Sequence, residues 1–386
     1  MAQKFDVIVV GGSLAGSTVA FQLASRGARV ALFERETFPR RKVCGEGLSH
    51  TGFRLLQEAG LTSAIQKVPF QPYDRFIVHD TADNPTSVLS RNGSLGYGVA
   101  REQLDSALFQ AAAGNPNVTM FHGAQVKEIS QDLDQVTVST ADGSYNASFL
   151  VLAAGSQNGF EVPEQKTNLS PIRYGFSFRI SGVSRVVFSS VHAFLRDGFQ
   201  VLCTPISDNT LNISVLITKN RVAHTIETLQ LEAQKLAASF FESWETSMPV
   251  LSCGAIGRVR RPPTFGRILL TGDSCEQFDP IGGMGMTHAI LCATLAVPAL
   301  LASIADPAEY KRSFAEYARV RELEVRPLRG FTRLSYSTLT KDTWLGTRLR
   351  RNATIGQLVS STVHGMHSSK QRALMLGLLA LIGTEL

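Results

Sequence analysis

Residues 5–10, FDVIVV, form a nearly unbroken apolar run that stops at a pair of glycines. Such a run fits a strand buried on both faces of a parallel sheet. From Leu14 to Ser25 the apolar positions recur at helical spacing, Gly27 ends that stretch, and Arg29 to Phe33 is a second short apolar run. This order predicts strand, turn, helix and strand, with Glu34 at the tip of the second strand. Ile268 to Leu270 repeats the buried-strand pattern and leads through Gly272-Asp273 into a glycine-rich stretch and a long helix. Between these blocks the pattern changes. RYGFSFRI (173–180), SRVVFSSV (184–191), FQVLCTPI (199–206) and LNISVLIT (211–218) read as strands of an antiparallel sheet. Residues 223–244, AHTIETLQLEAQKLAASFFESW, predict a helix crossing that sheet, and residues 307–340 predict one or two helices rich in Arg and Glu.

At 386 residues the chain can build one large or two ordinary cores, and 44% hydrophobic with 18% charged residues is a globular composition. The net charge of +6 comes from 38 basic and 32 acidic residues, scattered along the chain. That balance favours anionic small molecules over nucleic acid, for which no basic and aromatic module is present. Cys44, Cys203, Cys253, Cys275 and Cys292 are far apart and lack CxxC spacing, as expected of reduced thiols in the cytoplasm. The N-terminus enters a strand at once, without the apolar stretch of a signal peptide. No unbroken run of about 18 apolar residues occurs, which argues against a membrane-spanning helix. His364 and His367 lack further ligands nearby, so no metal site is expected.

The first turn reads Gly11-Gly12-Ser13-Leu14-Ala15-Gly16, a GxSxxG pattern with serine at the middle glycine. Free N–H groups and the helix dipole there suit a pyrophosphate, and Glu34 stands where a carboxylate can accept from ribose hydroxyls. The second motif, RILLTGDSCEQFDPIGGMGMTHAI (267–290), puts Gly272-Asp273 after a strand and Pro280, Gly282, Gly283 and Gly285 before a helix. A carboxylate for a sugar-alcohol hydroxyl and free N–H groups for an anionic ring edge point to a flavin. A third stretch, RRKVCGEGLS (40–49), is basic and glycine-rich, as a loop that approaches a ligand closely would be.

Together these stretches resemble the FAD-dependent oxidoreductases of the p-hydroxybenzoate hydroxylase fold, especially the branch of geranylgeranyl reductases and flavin-dependent halogenases. The resemblance is densest at 6–49, 98–109, 146–156 and 266–300. It implies an α/β protein: a Rossmann-type FAD-binding domain, an inserted antiparallel-sheet substrate domain and a helical C-terminal region. The expected FAD-binding parts are 1–67, 99–158 and 263–306, the substrate parts are 68–98 and 159–262, and 307–386 is the C-terminal region. Gly11, Ser13, Gly16 and Glu34 would hold the ADP half of FAD, with Ala15, Arg35 and Val126 among the contacts. Arg101 would reach the phosphate or ribityl region, and Gly272-Asp273 the ribityl chain. SYNASFLVLAAG (144–155) resembles the strand that returns Ala154 and Gly155 to the adenosine. The backbone from Gly283 through Gly285 to Met286 would face the flavin pyrimidine ring, while Arg41, Lys42 and Cys44 would run beside the isoalloxazine. Cys44, Gly45, Pro280 and Gly283 are the candidates bordering the chemistry.

Flavoproteins of this fold oxygenate, halogenate or reduce. The Trp-x-Trp-x-Ile-Pro signature of tryptophan halogenases is absent, the only tryptophans are Trp244 and Trp344, and Lys67 is an unaligned candidate for the halogenase lysine. The reductases' Tyr-x-Trp-x-Phe-Pro is replaced by Gln200, Leu202 and Thr204 when aligned on Pro205, which removes an aromatic wall for isoprenoids. Few ionisable groups are expected on the pocket strands. The expectation is a monooxygenase working through reduced flavin and a C4a-hydroperoxide, with alkene reduction and halogenation as alternatives. Its substrate would be a small organic molecule or a side chain on a partner protein. LAAGSQNG (152–159) carries no acid beside the returning strand, so the electron source, NAD(P)H or a separate flavin reductase, stays open. From Thr343 to Thr384 the tail holds Arg348, Arg350, Arg351, Lys370 and Arg372 and no acid. Its apolar end, ALMLGLLALIG, predicts a helix buried against the flavin domain, or else a docking element for a membrane surface or partner.

Overall fold

The computed structural model describes residues 5–79, 86–89, 93–156, 159–160, 173–182, 188–196, 198–219, 224–237, 245–256 and 259–339. The basic, apolar tail beyond residue 340, with His364 and His367, lies outside the described residues, as do Trp244 and Trp344.

Two large sheets organise the chain. Among the described residues the first holds eight strands and is built on a parallel core in the order Ile268–Leu270, Ser144–Leu152, Phe5–Val10, Val30–Glu34 and Val118–His122. Its strands are buried throughout the centre, which explains their continuous apolar runs. The helix Leu14–Ala24 follows the first strand and packs between Arg101–Ala113 and Gly285–Ala305.

Gly285–Ala305 is 21 residues long with a mean hydropathy of 2.0, long and apolar enough to cross a membrane. Thr287, His288, Thr294 and Ser303 interrupt its sequence, which is why no unbroken apolar run revealed it. In this fold Ala293, Ala296, Val297 and Leu300 are buried in one cluster with Val19, Ala20 and Leu23, so it serves as a core helix.

Among the described residues the second sheet has seven strands, in the order Glu245–Ile256, Arg173–Ser181, Thr210–Thr218, Phe199–Pro205, Ser190–Arg196, Arg75–His79 and Thr86–Leu89. Among these described residues it is antiparallel except for one parallel pair, Ser190–Arg196 with Arg75–His79. Of the strand expected at 184–191, residues 184–187 lie outside the described residues, and the strand described here runs Ser190–Arg196. Alternation sends Phe176, Phe178, Val201 and Val215 to one face, against Leu229 and Ala233 of the helix Ile226–Ala237. Gly175, Ser177, Arg179, Gln200, Leu202, Thr204, Asn212 and Ser214 occupy the other face.

A three-stranded sheet of Gly47–Ser49, Gly96–Gly98 and Gln71–Tyr73 joins the two. Glycine is obligatory at position 98, where a Cβ would sit 1.6 Å from the Pro205 carbonyl oxygen. After a short turn at Pro307–Glu309, the Arg- and Glu-rich segment forms one helix, Tyr310–Leu339, whose Phe314 and Tyr317 enter the main core.

Candidate active site

The glycine turn is held by geometry that only small residues allow. Gly11 has φ +103°, and a Cβ at Gly16 would lie 1.7 Å from the Gly11 carbonyl oxygen. Glu34 is buried and accepts from the Gly12 N–H at 2.7 Å and the Glu36 N–H at 2.8 Å. Ser13 does more than stand in for glycine. Its hydroxyl donates to Asp105 at 2.9 Å and accepts from Arg101 at 3.1 Å, while Arg101 pairs with Asp105 at 3.0 Å. Arg101 also donates to the Cys44 sulfur at 3.5 Å, joining the glycine turn to the basic loop. Burial works against its charge, but Asp105 and Cys44 outweigh that and raise its pKa.

The basic residues of that loop diverge. Arg40 turns inward, 3.9 Å from Asp105 and 5.2 Å from the centre of the Phe38 ring. Arg41 donates to the Pro249 carbonyl at 2.8 Å, Lys42 is exposed, and Arg35 is exposed beside Glu36. The CGEG segment lies against the second sheet. Asn212 donates to the Cys44 carbonyl at 2.9 Å, the Glu46 N–H donates to the Cys44 sulfur at 3.3 Å, and a Cβ on Gly45 would meet Leu202 at 2.9 Å. Glu46, at φ +55°, accepts from the Arg101 N–H at 2.9 Å and from Arg179 at 2.6 Å. Arg179 also pairs with Glu102 at 2.5 Å.

At the second motif, Asp273 is half-buried and makes no side-chain hydrogen bond among the described residues. Gly272 has φ +56°, with a Cβ there 3.4 Å from Ala15. Ser274 donates to the Gly155 carbonyl at 3.0 Å, so the ends of two parallel strands meet. Gly283 has φ +62°, and a Cβ at Gly283, Gly285 or Gly155 would meet nothing within 4 Å. Asp279 caps the turn Pro280–Gly282, accepting from the Ile281 N–H at 3.0 Å. Ala154 is half-buried near Gly155, Met286 is buried, and Val126 packs into the cluster behind the sheet. These features fit FAD: helix N-termini at Leu14 and Gly285 for negative charge, an unengaged carboxylate at Asp273, and glycines that leave space for the ligand.

Gln200, Leu202 and Thr204 share the face that meets the CGEG loop, the last 3.9 Å from where a Gly47 Cβ would stand. The expectation of few ionisable groups on that face does not hold. Arg173 and Arg179 both lie on it and are buried, because each finds a carboxylate on a facing loop. Arg173 stands 3.1 Å from Asp279, donates to Gln200 and lies over the Tyr336 ring of the C-terminal helix. Alternation in RYGFSFRI put both arginines on one face, but their partners come from distant loops that no local pattern marks. Glu276 was missed for the same reason: Arg321 (3.2 Å) and Arg329 (2.6 Å) reach it from the C-terminal helix. Burial opposes its charge, yet the Arg329 hydrogen bonds and both guanidinium charges hold Glu276 down at about 2.

Residues 4–156 match the family described as FAD binding domain. The chain is 26% identical over 323 residues to a kynurenine 3-monooxygenase of Salinispora arenicola (strain CNS-205), covering 73% of this chain and 69% of that protein. It is 25% identical to a squalene monooxygenase of Rattus norvegicus, covering 74% of this chain but only 52% of that protein. Among solved structures, a flavin-dependent brominase superposes with a TM-score of 0.82 at 17% identity, covering 100% of both chains. A geranylgeranyl bacteriochlorophyll reductase-like protein from Thermoplasma acidophilum gives 0.79 at 18% identity, over 98% of this chain and 96% of that one. At such identities the structural likenesses establish the fold.

Proposed function

We propose that this chain, an FAD-dependent oxidoreductase, is a monooxygenase that hydroxylates a polar organic substrate held between the flavin and the second sheet. The observation that carries this reading is the pocket face itself. Gln200, Leu202 and Thr204 stand where the reductase pattern has aromatic residues, and Arg173 and Arg179 are buried on the same face. Such a wall suits a compact molecule with hydrogen-bonding groups better than an isoprenoid chain. The curated relatives named monooxygenases support the same reading.

When bound, FAD supplies the capacity to carry electrons and activate O₂. This chain's residues do the rest. The glycine turn, held in place by Ser13 and Arg101, would bind and orient the phosphates, Asp273 would take a ribityl hydroxyl, and the N–H groups at Gly283 to Met286 would face the anionic ring edge. The CGEG loop, pressed onto Leu202 and Asn212, shuts water out on the substrate side.

The test is oxygen uptake by chemically reduced holoenzyme, with mass analysis of candidate substrates in ¹⁸O₂. Incorporation of one labelled oxygen supports hydroxylation. Gain of two hydrogens under anaerobic conditions, with no oxygen incorporated, would instead assign an alkene reductase.

A further inference from the structure

Between the strand Ile268–Leu270 and the helix Gly285–Ala305 the chain carries a buried charge, Glu276, three residues past Asp273 and 2% exposed. Arg329 holds it with two hydrogen bonds, at 2.6 and 2.9 Å, and Arg321 with a third at 3.2 Å. Arg321 is 3% exposed and also donates to the His288 ring at 3.3 Å. His288 comes three residues past Gly285 in the helix, a rise of about 4.5 Å along its axis. Glu322 and Arg260 continue the cluster outward and are partly exposed. The buried inner end therefore holds two guanidinium groups against one carboxylate. Burial, reinforced by Arg321, keeps His288 neutral, so it adds no charge. Such a network is a poor way to fasten a helix, because apolar side chains of similar volume often do as well or better. Its place beside the glycine-rich turn calls for another account.

We propose that Arg321, Arg329 and Glu276 set the electric field at the flavin ring and so tune how readily bound FAD accepts electrons. This rests on the reading that the ring faces Gly283 to Met286. FAD gains negative charge at its pyrimidine edge on reduction, so a nearby positive charge favours the reduced form. The N-terminus of Gly285–Ala305 supplies partial positive charge there, and the excess guanidinium adds to it. Arginine stays charged at any working pH, and burial keeps its field from being screened by salt. Glu276 works in the opposite sense, offsetting one of the two cations. Both arginines come from the helix Tyr310–Leu339, so the C-terminal region acts on the cofactor through charge rather than contact.

The measurement is the reduction potential of FAD-loaded protein by dye equilibration, with FAD content and melting temperature recorded for each variant. Arg329→Met removes a cation and should lower the potential, whereas Glu276→Gln removes the anion and should raise it. Each should change the oxidised-to-reduced ratio at least threefold, about 14 mV for a two-electron couple. Arg329→Lys keeps the charge but loses the paired hydrogen bonds, and should hold the wild-type potential. Val325→Ala loosens the same helix at a buried apolar position and should also leave the potential unchanged. A purely structural role would instead move Arg329→Met, Glu276→Gln and Val325→Ala in one direction. Shifts of one sign, no shift, or a shift in Arg329→Lys as large as in Arg329→Met overturns the proposal. Should a buried variant not fold, the partly exposed pair decides by sign, with Arg260→Met expected down and Glu322→Gln up. Gly285→Val checks the ring placement separately, because a Cβ there meets nothing within 4 Å. It should weaken FAD binding at least tenfold at an unchanged apoprotein melting temperature. Unchanged binding would remove the placement and the proposal with it, whereas weakened binding with potentials of one sign would overturn the tuning alone.

Discussion

Arg179 stands 2.6 Å from Glu46, and the two belong to opposite sides of the pocket, one on the second sheet and one in the CGEG loop. At the other end of the same sheet face, Arg173 meets Asp279 of the flavin loop. The sheet is therefore fastened at both ends to the loops that flank the cofactor.

Breaking the first clasp should be expensive. A fully stranded buried charge typically costs about 3–5 kcal/mol, but Arg179 keeps Glu102 when Glu46 is removed, so the loss should fall below that range. Glu46→Ala should lower the urea midpoint of the holoprotein accordingly, whereas the double change Glu46→Leu with Arg179→Met should recover part of the loss. Equal destabilisation in single and double variants would show that the pairing is not the cause.

The two acids of the FAD site should behave differently. Asp273 has no hydrogen-bond partner among the described residues, so Asp273→Ala should weaken FAD retention at least tenfold while the apoprotein melts at an unchanged temperature. Glu34 accepts from two backbone N–H groups, so Glu34→Ala should lower both FAD retention and apoprotein stability, the latter by about 1–3 kcal/mol. Cofactor retention and differential scanning calorimetry separate the two.

Cys44 holds its loop through its sulfur, accepting from Arg101 and from the Glu46 N–H. A serine oxygen can accept the same bonds. Cys44→Ser should therefore keep at least a tenth of turnover, a loss of no more than about 1.4 kcal/mol in barrier height. Complete loss with FAD still bound would give the thiol a chemical part.

Acid should loosen the molecule first through histidine. Burial, reinforced by Arg321, pushes His288 down to about 3, and burial with His79 and Arg75 pushes His192 down to about 4. Both stay neutral in the fold but take up protons on unfolding below about 6.5. Their contribution is thus fully present above that pH and is lost as pH falls from there toward 3. Glu276, held at about 2, contributes its own loss only below the ordinary carboxylate range. Melting temperatures should fall between pH 6.5 and 5, and His288→Gln should reduce that drop. An unchanged pH slope in the variant would assign the effect elsewhere.

Much of the cofactor half was readable because its signals are local. Gly11, Gly16 and Glu34 sit in one strand-turn-helix-strand unit, and Asp273 follows a strand directly. The substrate half was readable as strands but not as chemistry. Nothing near Arg173 in the chain announces Asp279, and nothing near Glu46 announces Arg179, because each pair is made only when two distant segments pack. The glycine-rich loop is marked by its cations, yet Lys42 is exposed and Arg41 turns to the Pro249 carbonyl, while the neighbouring glutamate does the joining.

The single parallel pairing in the second sheet has a consequence for how the chain assembles. Arg75–His79 and Thr86–Leu89 form a hairpin whose free edge is completed only by Ser190–Arg196. A two-stranded hairpin alone is marginal in water, and pairing across so long a stretch of chain is slow. During synthesis this edge emerges well before its partner and waits unpaired, a site where wrong strands can attach. Growth at lower temperature, where wrong pairing of exposed strand edges is slower, should therefore raise soluble yield.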